Sequence, residues 1–170
     1  VTITNLNNYA GTLSIAGQGT NKSSLTAKNI QIGGSAPASD GAAKAAAASK
    51  AVVSLGASGE IIAAKGGTFN ILNGGELKFA GAASKAKAES GITLNGGKIS
   101  VADSATGTVD GALTVTSGAV EVNGGAADTT LTVSGLATIN DGTFDIVKGG
   151  AADSGGKAIL SKGITMNGGI

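Results

Sequence analysis

A short motif recurs through the second half of the chain and constrains its fold more than any other feature. Each copy is an alternating run such as Ile-Thr-Leu, a corner such as Asn-Gly-Gly and, in all but the last copy, a second alternating run. The copies are Phe69–Phe79, Ile92–Val101, Leu113–Val122, Ala137–Ile146 and Ile164–Gly169. Their corners begin at positions 73, 95, 117, 140 and 167, which are 22, 22, 23 and 27 residues apart. A period near 22 predicts a repeat protein whose units stack on one another.

The corners use residue types that permit a sharp change of chain direction. Glycine and asparagine tolerate positive φ angles better than other residues. The predicted structural corners are Asn73, Gly74, Gly75, Asn95, Gly96, Gly97, Ser117, Gly118, Asn140, Asp141, Gly142, Asn167, Gly168 and Gly169. Asparagines at matching corner positions can also stack into ladders between neighbouring units.

The residues on both sides of each corner alternate with a period of two, which predicts short β-strands. In Ile92-Thr93-Leu94, for example, Ile92 and Leu94 point inward and Thr93 points outward. Asn-Gly is also a hairpin signal, so an antiparallel hairpin array or sandwich is the alternative. The repeat period and the matching asparagines favour an all-β parallel β-helix, or β-solenoid, with rungs of about 22 residues. Six to eight rungs at ~4.8 Å each would make a rod roughly 30–40 Å long.

The two parts of the chain differ in regularity. Residues 59–170 contain the regular rungs, which we expect to continue beyond the chain end. Residues 1–58 contain irregular rungs, with strands at Leu25–Ile32 and Ala51–Leu55 and an Ala-rich insertion at 33–50. The segment Ala42–Lys50 has high helix propensity but little apolar stripe, so it is either a short surface helix or a flexible insertion.

Polar links rich in Ala and Gly separate the motif copies. They are Ala80–Ser90, Ala102–Gly111, Asn123–Asp128 and Lys148–Lys162. Because they fall at the same point of each repeat, we expect them along one edge of the rod, where variation in length is tolerated.

The composition argues against several classes of function. There are no cysteines and no histidines, so a disulfide framework, a thiolate nucleophile and a zinc finger are excluded. All cations are lysines and the net charge is +1, so we expect no nucleic-acid partner. No run of about 18 apolar residues occurs, so we expect no transmembrane segment in this chain. Aromatic residues make up only 2%, which predicts thin layers of small apolar side chains.

Carboxylates are the candidates for catalysis, because some β-solenoids cleave polysaccharides. Asp141 and Asp145 flank a corner, and Asp103 and Asp110 lie in one link. Paired acid catalysis needs two carboxyl groups roughly 5–10 Å apart in a groove. Nothing in the sequence brings these pairs together, so we expect no catalytic residues and no enzyme activity. A carbohydrate-binding or carbohydrate-cleaving solenoid, of the tail-spike type, is the alternative.

Two further patterns bear on ligands. A GGAAD string follows Asn123 and recurs at 149–153; it is related to the calcium-binding repeat G-G-x-G-x-D, but it lacks the third glycine and its aspartate comes one residue early. We therefore expect a glycine turn with no cofactor and no metal, calcium being the alternative.

Outward threonines at Thr93, Thr114, Thr132 and Thr165 occupy equivalent positions, which is a pattern that ice-binding surfaces also use. A single file is too narrow for an ice-binding array, and threonine is favoured in strands for other reasons.

The repeats resemble those of large bacterial surface proteins. Asn5–Gly17, Ile92–Val101 and Ile164–Gly169 are similar to rungs of autotransporter passengers and filamentous-haemagglutinin-type adhesins, and the composition also resembles that of S-layer proteins. The resemblance implies an extracellular or bacterial cell-surface location and a structural or adhesive role. The chain would be a stiff rod whose loops serve for binding or self-association.

The same resemblance implies which partners to expect. They are neighbouring rungs of a longer chain, further copies of the chain, or host or cell-surface glycans or proteins. A subunit of a self-assembling surface layer or extracellular filament is the alternative role.

Overall fold

The computed structural model describes residues 2–18, 21–35, 50–101, 104–125, 128–147 and 155–169. These ranges contain sixteen strands and no helix. The first eight are β1 (Thr2–Asn8), β2 (Gly11–Ile15), β3 (Ser23–Ile32), β4 (Ala51–Leu55), β5 (Gly59–Ala63), β6 (Phe69–Leu72), β7 (Gly75–Phe79) and β8 (Ser84–Ala88). The other eight are β9 (Ile92–Val101), β10 (Thr106–Asp110), β11 (Leu113–Asn123), β12 (Thr129–Val133), β13 (Ala137–Ile139), β14 (Thr143–Val147), β15 (Gly156–Leu160) and β16 (Ile164–Met166).

The strands wind into a β-solenoid of about six turns, each with three sides. Face A is formed by the first parts of β1 and β3, then β5, β8, β10, β12 and β15. Face B is formed by the last parts of β1 and β3, then β6, the first parts of β9 and β11, β13 and β16. Face C is formed by β2, β4, β7, the last parts of β9 and β11, and β14. A rung is one passage of the chain through faces A, B and C.

Every ladder between the strands described above is parallel, so the antiparallel alternative is wrong. Leu94 on rung 4 pairs with Val115 on rung 5, which pairs with Ile139 on rung 6. Successive rungs are about 24 residues apart, close to the expected 22. The predicted β-solenoid is therefore confirmed.

A single apolar core runs through the rungs. Leu94, Val115 and Ile139 are fully buried, because the inward positions of each strand stack on those of the rungs above and below. Burying a side chain of this size stabilises the fold by about 1.5–3 kcal/mol. Glycine makes room where the core holds an aromatic ring: a Cβ atom at Gly107 would lie 2.5 Å from Cγ of Phe79.

The interpretation of the links as surface connections is wrong for three of the four. Ala80–Ser90 contains β8, Ala102–Gly111 contains β10 and Lys148–Lys162 contains β15, and these strands form face A. In β8 the inward side chains are only serine and alanine, at Ser84, Ala86 and Ala88, yet all three are buried. Such small residues give no hydrophobic signal in the sequence, because much of the burial comes from the close approach of neighbouring backbones.

Chain length varies at two edges of the solenoid. In the sequence, residues 80–83, 102–105, 124–128 and 148–155 separate a strand of face C from the next strand of face A, and the Ala-rich insertion separates β3 from β4. The predicted strands at Leu25–Ile32 and Ala51–Leu55, on either side of that insertion, are confirmed as β3 and β4. The proposed helix lies outside the described residues except for Lys50. In the described part of the chain, no helix is long and apolar enough to cross a membrane.

Candidate interaction surface

The predicted corner residues lie together along the edge between faces B and C. A glycine with positive φ occupies this edge on each of the seven rungs that the described residues reach. The seven are Gly11 (79°), Gly33 (82°), Gly74 (75°), Gly96 (82°), Gly118 (106°), Gly142 (105°) and Gly169 (83°). Gly75 and Gly97 follow the turns as strand residues of face C, and Gly168 comes two residues after β16.

The corner backbones stack so closely that side chains would not fit between them. A Cβ atom at Gly118 would overlap the carbonyl oxygen of Gly97 in the rung before, and one at Gly142 would overlap that of Gly118. The same holds for Gly169 over Gly142. Glycine is therefore required here for two reasons, the backbone angle and the close approach of the next rung.

Polar corner side chains bond from one rung to the next. Nδ2 of Asn167 donates to Oδ1 of Asn140 at 2.8 Å. Oγ of Ser117 donates to Oδ1 of Asn95 at 3.1 Å. The side chain of Asn73 makes no hydrogen bond among the described residues, but it packs against the next corner, where its Oδ1 occupies the space that a Cβ of Gly96 would take. The expected corner ladder is thus present as two bonded pairs and one packed contact.

Face B, next to this edge, presents an uncharged outer surface. One file of outward polar side chains has a member on every rung: Asn7, Gln31, Asn70, Thr93, Thr114, Thr138 and Thr165. The corner residues Asn95, Ser117, Asn140 and Asn167 form a second file beside it. The strand segments that build face B contain no charged residue. We call these two files the neutral array.

The threonine file differs from the one expected from the sequence. Thr138 pairs with Thr114 and Thr165 on face B, whereas Thr132 lies in β12 on face A and pairs with Thr108. The prediction failed at Thr132 because face A was not recognised: β12 belongs to face A, whose strands β8, β10 and β15 lie in segments that were interpreted as links.

Face C carries a nearly buried carboxylate. Glu76 points outward from β7 but is only 7% exposed. Lys50 Nζ lies 2.6 Å from its Oε2, and Ser100 Oγ donates to its Oε1 at 2.5 Å. Burial is the largest single influence and raises the pKa of Glu76, but the hydrogen bonds from Lys50 and Ser100 and the charges of Lys50 and Lys98 together hold the pKa below 4.5. Sequence reasoning missed this cluster, because Lys50 and Glu76 are brought together only by rung stacking.

Two other ion pairs also join neighbouring rungs. Lys98 Nζ lies 2.7 Å from Glu121 on face C, and Lys85 Nζ lies 2.9 Å from Asp110 on face A. The hydrogen bond from Lys85 is the main reason that the pKa of Asp110 lies below 3.8, with Ser134 adding a second bond. Three pairs of opposite charges on faces A and C thus join neighbouring rungs along the rod axis, whereas the strand segments of face B carry no charged residue.

The three described aspartates that were considered for chemistry lie in different parts of the fold. Asp141 occupies the corner, where its Oδ1 accepts a hydrogen bond from the backbone N of Gly142 at 2.8 Å. Asp145 is exposed in β14 on face C, and Asp110 is engaged on face A. Asp103 lies outside the described residues.

The two GGAAD strings are described only in part. In the first string, Oδ1 of Asp128 accepts a hydrogen bond from the backbone N of Gly155 at 3.4 Å. The two alanines of the first string and the whole second string lie outside the described residues. Among the described residues, no group of three or more Asp or Glu side chains is placed to hold a metal ion.

The rungs nearest the C-terminus expose apolar side chains. Ile146 (51%), Ile164 (43%) and Met166 (53%) are in register with the buried residues Val122, Ala137 and Ile139. They therefore point inward, but no described strand covers them. These three side chains form an apolar end surface.

Comparison with known proteins identifies no relative from which a role for these surfaces could be inferred. No protein-family model matches the chain, and neither a curated protein nor a solved structure matches it. The resemblance to autotransporter passengers and haemagglutinin-type adhesins therefore extends to the β-solenoid arrangement, and the family itself stays a hypothesis.

Proposed function

We propose that the chain is a rod-forming segment of a secreted or cell-surface bacterial β-solenoid protein, with a structural and adhesive role. The observation that carries the proposal is the single core and the parallel register shared by all the described rungs. Such stacking makes each rung depend on its neighbours and gives a stiff, quasi-one-dimensional body. The polar side chains of the neutral array then recur at ~4.8 Å per rung along the rod. A surface with such repeated groups can bind a partner through many similar contacts at once.

The location is tested with an antibody raised against the folded chain. Intact and permeabilised cells of the source organism are labelled, and the culture fluid is probed in parallel. The proposal predicts labelling of intact cells or recovery from the fluid. Labelling that requires permeabilisation contradicts it.

The adhesive role is tested through the neutral array. Thr114→Glu places a charge in the middle of face B, and Thr132→Glu places the same charge on face A, where the residue is likewise half-buried. Retention of each labelled protein on host cells and on immobilised glycans is compared with that of the unmodified protein. If adhesion uses face B, Thr114→Glu lowers retention and Thr132→Glu does not. Equal retention of all three proteins would show that face B is not the adhesive surface.

Self-association is a second candidate role, and the apolar end surface favours it. Strand edges with exposed apolar residues are templates for pairing with another chain. A second copy stacked on Ile146, Ile164 and Met166 would extend all three faces. Sedimentation across a concentration series should show assembly that Met166→Lys abolishes. Leu136→Lys is the matched control, since Leu136 is 43% exposed at a lateral edge. A protein that stays monomeric at every concentration rules this role out.

A further inference from the structure

Four Asn-Gly steps offer a chemistry that the proposed function does not use. They are Asn73-Gly74, Asn95-Gly96, Asn123-Gly124 and Asn167-Gly168. In such a step the glycine nitrogen can attack Cγ of the preceding asparagine. A new bond between this nitrogen and Cγ closes a succinimide ring, the bond from Cγ to Nδ2 breaks, and ammonia leaves with the proton of the glycine nitrogen. Water then opens the ring to aspartate or isoaspartate. Glycine permits the attack because it has no Cβ to hinder the approach.

Neither reacting group of the Asn73-Gly74 turn is hydrogen-bonded to a described residue. The two residues connect β6 to β7 and are exposed, and Gly74 has a φ of 75°. Among the described residues, the amide group of the Asn73 side chain makes no hydrogen bond, and the N–H of Gly74 has no acceptor. The carbonyl groups of this turn are engaged instead: Gly34 N donates to Asn73 O at 2.9 Å, and Ala51 N donates to Gly74 O at 2.8 Å.

The same dipeptide at Asn123-Gly124 is held in place. Its asparagine is half-buried, and Nδ2 donates to Glu121 Oε2 at 3.4 Å. The nitrogen of Gly124, which would be the nucleophile, donates to Val147 O in the next rung at 2.9 Å. This nitrogen has to leave an inter-rung hydrogen bond before it can attack. The protein therefore contains a matched internal control for the step at Asn73.

We propose that Asn73 is a spontaneous deamidation site, which converts to aspartate or isoaspartate as the folded protein ages. The product places a carboxylate at the edge of face B, whose strand segments carry no charged residue. The isoaspartyl form also lengthens the main chain by one methylene between Asn73 and Gly74. That insertion strains the two carbonyl hydrogen bonds that tie this turn to Gly34 and Ala51, so ageing loosens the contact between rungs 2 and 3.

The experiment compares two sites in one sample. The full-length protein is kept at mildly alkaline pH, folded in buffer or unfolded in concentrated urea, and is then cleaved after lysine. Mass spectrometry measures conversion in the peptide 66–78 for Asn73 and in the peptide 99–148 for Asn123, with fragmentation to locate the site. In the folded protein Asn73 should convert at least about tenfold faster than Asn123, the factor expected from the hydrogen bonds that hold the second site. In urea the two rates should converge. Equal rates in the folded protein, or a slower rate at Asn73, overturn the proposal.

A variant isolates the role of the side-chain hydrogen bond. Ser117→Ala removes the donor to Oδ1 of Asn95 and leaves the turn at Asn73 unchanged. Conversion at Asn95 should accelerate in this variant, while conversion at Asn73 stays constant. An unchanged rate at Asn95 would show that bonding of the amide does not control reactivity at these corners, which contradicts the physical basis of the proposal.

Discussion

Ser100 donates a hydrogen bond to the Glu76 carboxylate across 2.5 Å, and this bond joins rungs 3 and 4 on face C. The second carboxylate oxygen pairs with Lys50 at 2.6 Å. A carboxylate that is only 7% exposed is tolerated because both of its oxygens have partners. The inter-rung contact therefore depends on Glu76 being ionised.

Acid should weaken this contact. The pKa of Glu76 is lower in the folded protein than its ordinary value of 4.5. A lowered pKa means that ionised Glu76 stabilises the fold at pH values above 4.5, and that this stabilisation is lost as the pH falls through the folded-state pKa. Urea unfolding of the wild type and of Glu76→Gln from neutral pH downward should show the two free energies of unfolding converging in acid. A constant difference at all pH values would contradict this.

At neutral pH, Glu76→Gln should lower the free energy of unfolding by about 1–3 kcal/mol, because a charged hydrogen-bond acceptor is lost. The matched control is Glu121→Gln, which removes the ion pair with Lys98 on the same face. Both of those side chains are about one third exposed, so its loss should cost at most about 1 kcal/mol. Equal stability of the two variants would show that the buried carboxylate contributes no more than the exposed one.

Turn glycines at different edges of the solenoid should differ in their tolerance of alanine. Gly142 and Gly66 both have positive φ, but a Cβ at Gly142 would overlap the carbonyl of Gly118, whereas Gly66 has open space around its Cβ position. Gly66→Ala should cost only the backbone strain of about 1–2 kcal/mol. Gly142→Ala should cost clearly more, since the next rung must also move. Thermal unfolding of the two variants measures the difference, and equal midpoints would argue against close backbone stacking at the corner.

One buried hydroxyl offers a stabilising change. Oγ1 of Thr129, in β12, is buried and has no hydrogen-bond partner among the described residues. Thr129→Val keeps the shape and removes an unsatisfied polar group, so the free energy of unfolding should rise by about 1 kcal/mol. Thr132→Val, on the outward side of the same strand, should change it by less than about 0.5 kcal/mol. Loss of stability in Thr129→Val would mean that the hydroxyl does have a partner.

The sequence predicted those parts of the fold where local chemistry is strong. Alternation of Ile, Thr and Leu around an Asn-Gly corner was sufficient to locate β9, and the matching asparagines predicted the bond between Asn140 and Asn167. Face A was missed because strands such as β8 bury only serine and alanine. The error at Thr132 followed from that omission.

Contacts that depend on rung stacking could not be predicted in the same way. Lys50 and Glu76 are far apart in sequence and carry no shared motif. Their pairing is fixed by the register of β4 on β7, which brings Ala51 beside Gly75. The neutral array of face B likewise became visible only when the rungs were aligned.

The central claim, a parallel solenoid in which equivalent residues lie one rung apart, is tested most directly by spin-label distances. The protein has no cysteine, so labels can be placed in pairs at engineered cysteines on face B. Asn70 and Thr165 are four rungs apart in the register, and Asn7 and Thr165 are six. At ~4.8 Å per rung, the backbone separations should be about 19 Å and about 29 Å, with narrow distributions. Distances that do not grow with the number of rungs, or that are broadly distributed, would contradict the solenoid and the stiff rod built on it.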